Sequence, residues 1–418
     1  MDYPAEIFDR VQLLADTNGF NDHTLHCVLR FERAPDAEIL RKSVMCSIGA
    51  IPILGTRFVD SARPHWTTLA AADLGRAFVT APTETAFEAF VVARVDEGAG
   101  PQVRVCLLAA DTFAVALKMN HMICDAAGFK QYLGFLCSIY AGLTADPAYR
   151  PAAITGDRSI RGVLKNFAMS VKLRSWFLQS KDNNRTRDHR FPLTEGGDAL
   201  PFIVARTLPR DRVAALRAYC QARGATLNDA VLAAYYRCVF QRLALPAGAV
   251  LEIPVMVDMR RYLGDVAAFT SLTNLTSTVI TRLNDRPQER FEGTLGRIKA
   301  VMDAKKGADI GLNGFMKLDL LYRIYGDRIA NRRLRSHLKN PLICMTNVGI
   351  LDSDRIRFGE LRPRAAYMCG SIKHKPYFQL AMSSFDGELT LSVNLYGTGG
   401  DRERVLSFFD DIEAELPS

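Results

Sequence analysis

MNHMICDAAGFKQYL, residues 119 to 133, lies where two periodicities meet. Ahead of it Phe113, Val115, Leu117 and Met119 alternate, which places them on one face of a strand. Behind it Phe129, Tyr132, Leu133, Leu136, Cys137 and Tyr140 fall at helical spacing, and Gly142 closes the run. The strand therefore stops just before His121 and a helix opens after Asp125. His121 is the only one of seven histidines with an aspartate four positions on. Two readings of this hinge stand side by side. His121 is a general base presented from a strand end, or it is a structural histidine followed by Asp125 as the N-cap that accepts the free first-turn N–H groups.

Outward from the hinge, residues 103–109 and 113–119 form a hairpin, HTLHCVLRF (23–31) reads as a strand, and 6–20 and 36–50 read as helices. A basic helix is expected over 159–180, with Trp176 and Phe177 near its end. The polar run QSKDNNRTRDHRFPLTEGGDAL that follows is the expected linker, which divides the chain into lobes at 1–190 and 191–418. The second lobe reads as strands at 201–208, 249–257, 271–280, 342–348, 366–372, 377–384 and 388–395. Its helices fall at 209–223, 226–243, 287–304, a long stretch to about 338, and 401–415. The order is not a regular β-α-β alternation, so the expectation is α/β in the looser α+β sense and not a doubly wound parallel sheet.

Composition narrows the function. With 418 residues, 48% apolar and 23% charged, the chain can bury a large core. It shows no apolar run long enough for a membrane helix and no signal-peptide pattern at its start, so a cytoplasmic protein is expected. The nine cysteines are odd in number, sit mostly in apolar runs and include no C-x-x-C, which reads as reduced core thiols and no metal site. The net charge of +8 is concentrated. Residues 157–190 hold nine Lys/Arg against three Asp, and 322–340 hold six against one. Solvated faces or an anionic partner both fit such stretches, whereas the lack of interleaved aromatics argues against nucleic acid.

Three further segments bear on the hinge: IPILGTRF (51–58); IPVMVDMRRYL (253–263), an apolar strand ending in Asp-x-Arg; and CMTNVGILD (344–352), a strand running into a Gly turn. Taken with HMICDAAG, they resemble, in order and over nearly the whole chain, the superfamily of condensation domains, alcohol acetyltransferases and chloramphenicol-acetyltransferase-like acyltransferases. That resemblance implies two lobes, each a mixed, mainly antiparallel sheet flanked by helices, with a tunnel between them. It implies transfer of an acyl group from a thioester on coenzyme A or a phosphopantetheinyl carrier to a hydroxyl or amine. His121 would match the tunnel-facing motif histidine and act as general base. Asp125 would match the motif aspartate that pairs with a later arginine, here Arg260.

Asn120 stands where the longer motif has its first histidine, as in the H-x-x-x-D relatives, and Ala126 stands where it has glycine, with Gly128 nearby. Thr346, Asn347 and Gly349 align with a segment across the tunnel, although a simple strand-to-turn transition fits them equally. Backbone N–H groups from Ala126 to Gly128 are candidate oxyanion donors. Lys373, His374 and Lys375 are candidates for pantetheine or coenzyme A phosphates. Cys124 beside His121 reads as a small core residue before a nucleophile. FTSLTNLTSTV (269–279) is rich in small hydroxyl residues for a core strand and suits a polar channel wall. The resemblance further implies no metal, no bound organic cofactor beyond the pantetheine-bearing donor, and a monomer. A small-molecule acceptor and an acyl or peptidyl carrier protein are the expected partners, and membrane contact is not expected. The departures at Asn120 and Ala126 motivate an alternative: a catalytically silent relative that binds a carrier protein or acyl chain.

Overall fold

The structure is a computed structural model that describes residues 2–173, 189–197, 199–263, 269–306 and 311–417. The first part supplies β1 (Asp2–Pro4), α1 (Ile7–Thr17), β2 (Thr24–Phe31), α2 (Ala37–Ala50), β3 (Thr56–Val59), β4 (His65–Thr68), β5 (Phe78–Ala81), α3 (Glu84–Val92), β6 (Val103–Ala109), β7 (Phe113–Asn120) and α4 (Ala126–Ala145). The second supplies β8 (Leu200–Leu208), α5 (Arg210–Gln221), α6 (Leu227–Leu243), β9 (Val250–Asp258), β10 (Thr276–Asn284), α7 (Phe291–Lys306), α8 (Leu312–His337), β11 (Ile343–Leu351), β12 (Ala365–Cys369), β13 (Lys373–His374), β14 (Phe378–Phe385), β15 (Glu388–Gly397) and α9 (Gly399–Glu415).

These strands make two main sheets and a small one, β1-β4-β3. The first main sheet runs β12-β2-β7-β6-β5 and is antiparallel except between β5 and β6. One face, with Leu117, Val115 and Met119 of β7, packs into a core with Leu40 and Val44 of α2 and Leu133 and Leu136 of α4. That is the face expected from the alternation in β7. The other face meets Phe87 and Val91 of α3.

The second sheet runs β10-β9-β11-β14-β15-β13, with β8 on β15. Its antiparallel pairs (β10–β9, β14–β15, β15–β8) and parallel pairs (β9–β11, β11–β14, β13–β15) are equal in number. The reason is the crossover through α7 and α8, which brings β11 back between β9 and β14 running parallel to both. This sheet buries its apolar side against α6 and α9.

Several sequence expectations change. The helix expected over 159–180 is interrupted: a single turn at Arg161–Leu164 ends in a bend, and helix resumes only at 169–173. The Asn166 amide donates to Tyr262 O at 3.0 Å in that bend, and a side chain that competes for backbone groups disfavours helix there. Residues 174–188, with Trp176, Phe177 and the first ten residues of the expected linker, lie outside the described residues. The strand expected at 271–280 begins only at Thr276, because residues 272–275 bond to the first lobe, to the Arg260 guanidinium and to Met259 N. Finally, β12 comes from the chain beyond residue 190 yet pairs along β2, and Leu272, Val348, Ile356 and Met368 join the first core. The first sheet is thus completed by the second half of the sequence.

Candidate active site

Strand β7 ends because Asn120 turns its side chain back on the chain: Oδ1 accepts from Met122 N at 2.8 Å. The backbone N–H of His121 donates to His23 O at 2.7 Å, extending the β2–β7 ladder by one step and fixing the ring's point of departure. The ring is held by Nδ1, which donates to Cys124 O at 2.8 Å. A neutral imidazole carries one proton, so this bond leaves Nε2 as the acceptor. Burial pushes the His121 pKa below its ordinary value, over the opposing pull of Asp125, and keeps the ring neutral.

Asp125 caps α4, accepting Gly128 N at 2.9 Å, and sits in a buried cluster. Its carboxylate also accepts from Leu275 N at 2.6 Å, Thr276 Oγ1 at 3.1 Å and Arg260 Nη1 at 2.8 Å. Burial works against the charge, but Arg260 and these donors outweigh it and hold the carboxyl below its usual range. Arg260 stands in the turn after β9 and donates onward to Thr273 O at 2.8 Å and to Asp258 at 3.2 Å. The cap and ion-pair readings of Asp125 are therefore one arrangement. Gly128 allows it, since a Cβ there would stand 3.2 Å from both Arg260 Nη2 and Thr273 O. Ala126 opens the helix and packs partly buried against the first core.

The expected oxyanion donors need correction. The Gly128 N–H is taken by Asp125 Oδ1, leaving Ala126 and Ala127 as the remaining part of that set. Thr346, Asn347 and Gly349 sit on β11, and no hydrogen bond joins them to His121 among the described residues. Asn347 Oδ1 accepts Gly349 N at 2.8 Å inside a β-bulge, and its amide reaches Asn228 at 3.2 Å. Gly349 has φ +85°, and a Cβ there would stand 2.9 Å from Lys130 Nζ, so the bulge meets α4 edge to edge. Cys124 is fully buried against Met119 Sδ, and burial drives its thiol upward, so it is core and not nucleophile.

Lys373, His374 and Lys375 do not form one phosphate cradle. His374 stacks on Tyr396 with ring centroids 4.4 Å apart, and Lys375 is engaged by Asp401 at 3.2 Å and Thr194 O at 3.0 Å. Lys373 is buried on the edge of the second sheet.

Residues that the sequence reading did not single out complete the site. The Asn274 amide donates to His121 O at 2.9 Å and lies 3.2 Å from Nδ1. Arg158 ties Asp9, Ile123 O and Leu272 O together. The hydroxyl-rich stretch is thus a staple: residues 272 to 276 each bond to the first lobe or to Arg260. Its unusual polarity was the available signal. One group, Asp16, His23 and Glu97, brings three potential metal ligands together. Arg94 already donates to both carboxylates there, at 3.2 and 3.0 Å, so the group is an ion-pair cluster.

No family model matches the chain, and no curated protein matches it by sequence. Solved structures do match. The first condensation domain of the CDA synthetase is 15% identical with TM-score 0.70, covering 100% of this chain and 96% of its own. The trichothecene 15-O-acetyltransferase from Fusarium sporotrichioides is 13% identical with TM-score 0.73 at the same coverage. The starter condensation domain of rhizomide synthetase, solved with C8-CoA and Leu-SNAC, is 13% identical with TM-score 0.69 and covers 99% and 94%. The chain therefore has, from end to end, the two-lobed fold of condensation domains and of this acetyltransferase.

Proposed function

We propose that the protein transfers an acyl group from a pantetheine thioester, on coenzyme A or a carrier protein, to a hydroxyl or amine acceptor, with His121 as general base. The observation that carries this is the ring's tautomer. Nδ1 is committed to Cys124 O, and Nε2 is left as a neutral acceptor at the junction of the lobes. The acceptor O–H or N–H attacks the thioester carbonyl as Nε2 takes its proton. A C–O or C–N bond forms, the C–S bond breaks, and the imidazolium returns the proton to the departing thiolate. Proton transfer of this kind contributes typically ~100- to 10,000-fold, and holding donor and acceptor in line supplies about 7 to 11 kcal/mol more. Asp125 and Arg260 keep the hinge in shape and stay out of the reaction. One fold neighbour, the starter condensation domain of rhizomide synthetase solved with C8-CoA and Leu-SNAC, supports this substrate class.

The experiment is a panel of acyl-CoA and acyl-carrier donors against mixed alcohols and amines, read by mass spectrometry. His121→Ala is expected to lose ~100-fold or more in product formation with unchanged thermal unfolding. Equal product from variant and wild type ends the assignment. Binding of acyl carriers without turnover by either favours the silent relative instead.

A further inference from the structure

Ten large apolar side chains are exposed among the described residues, and six of them lie on two segments: Met169 and Leu173, and Leu320, Ile324, Tyr325 and Ile329 of α8. The segments are neighbours, because Val163 and Val171 pack from one side, and Phe315 and Tyr322 from the other, into a single small cluster. A helix whose outer face meets only water carries polar residues there. Here Leu320 is 41% exposed and Ile324 61% exposed before the kink at Gly326, and Ile329 is 50% exposed after it.

The charge on this face is one-sided. Its acids are spoken for: Asp319 pairs with Arg161 at 3.1 Å and Arg323 at 2.6 Å, and Asp327 pairs with Arg10 at 2.5 Å. Arg328, Arg332 and Arg335 have no carboxylate partner among the described residues. Some arginines on the second lobe's other helices do, as in Arg237–Glu415, Arg242–Asp411 and Arg297–Glu289. Arg333 stacks over Tyr325 at 4.0 Å.

We propose that α8 and residues 169–173 form a face that rests on an anionic membrane surface. Leu320, Ile324 and Ile329 enter the interface, and the unpaired arginines meet lipid phosphates. Gly326, with φ +63° and ψ 173°, breaks α8 into two halves, so Leu320 and Ile324 stand before the kink and Ile329 with Arg328, Arg332 and Arg335 after it. Exposed aliphatic side chains accompanied by long cations suit a bilayer, into which such cations extend. A protein partner is met instead through aromatic anchors in pockets. No helix among the described residues is long and apolar enough to cross a membrane, and contact of this kind needs none. The proposal departs from the sequence expectation of no membrane contact. The proposal goes beyond acyl transfer and stands apart from it, since His121→Ala is expected to bind vesicles like wild type.

Co-sedimentation of the full chain with phosphatidylcholine vesicles, alone and mixed with phosphatidylglycerol, tests it. Binding is expected only to the mixed vesicles and is expected to fall as salt rises. Ile324→Ser with Ile329→Ser should weaken it at least ~10-fold, about 1.4 kcal/mol, with thermal unfolding unchanged because both side chains are exposed. Arg328→Glu with Arg332→Glu should weaken it and flatten its salt dependence. Equal binding to neutral vesicles, no binding to either, or double variants that bind like wild type would overturn the proposal. So would capture of an acidic carrier protein, lost in both double variants, without any vesicle binding.

Discussion

A protonated imidazole cannot accept a proton, so the pH at which activity fades on the acid side reports the charge on His121. Burial lowers that pKa, and the acid limb of kcat/KM is therefore expected below the ordinary histidine value of about 6.5. Asn274 offers a way to move it. Its amide lies 3.2 Å from Nδ1, so Asn274→Asp places a carboxylate beside the ring, which favours the imidazolium and should shift the limb to higher pH. Asn274→Ala, which removes the bond to His121 O without adding charge, should lower kcat about 10-fold while KM holds, the mark of a positioning residue. A pH profile of each variant decides it, and a limb that stays put in Asn274→Asp rules the contact out. His121, Asp125 and Arg260 were legible because two lie in one short stretch and the third ends a recognisable strand. Asn274 and Arg158 were not, because neither stands in a short motif or at the end of a recognisable strand, and their partners lie more than a hundred positions away.

Helix starts show how differently one cap residue can matter. Both α4 and α6 were legible as elements, α6 through TLND and α4 through Asp125 and the spacing behind it. In α6, Thr226 and Asp229 satisfy each other's backbone N–H groups in a capping box at 3.2 and 2.9 Å. Thr226→Ala removes one such bond and should cost about 1 kcal/mol. In α4 the cap is also the anion of a buried ion pair. Arg260→Ala leaves Asp125, 1% exposed, without its counter-charge and should cost roughly 3–5 kcal/mol. Asp125→Asn keeps a good cap and leaves Arg260 its second carboxylate, Asp258 at 3.2 Å, so its loss should be smaller than that of Arg260→Ala. Urea unfolding of the three variants tests this, and equal losses at Thr226 and Arg260 would mean that the pair is not doing more than a cap does. The sequence placed these helices because their apolar spacing is local. It misjudged 159–180 and 271–275 because there the backbone's partners are remote side chains and a neighbouring lobe, which no periodicity records.

Two lobes at 1–190 and 191–418 suggest two folding units, yet the bonds run otherwise. Strand β12 crosses back to pair with β2 over five residues, Ala365 to Cys369, and residues from the second half fill part of the first core. At the hinge, Arg158 of the first lobe donates to Leu272 O, and Arg260 of the second lobe donates to the first lobe's buried Asp125. A chain cut at residue 190 would leave β2 as an open edge and Asp125 buried without its cation, and an unpaired strand edge is a template for aggregation. Neither 1–190 nor 191–418 alone is expected to show a cooperative urea transition. The intact chain should unfold with its near-ultraviolet signal and its helical signal changing together, since the staple ties the cores into one unit. Co-expression of the two fragments should restore a complex, because every contact across the cut is non-covalent. A fragment 1–190 that unfolds cooperatively by itself, with a midpoint near that of the whole chain, would show that the crossing strand and the staple add little, and that the lobes stand independently.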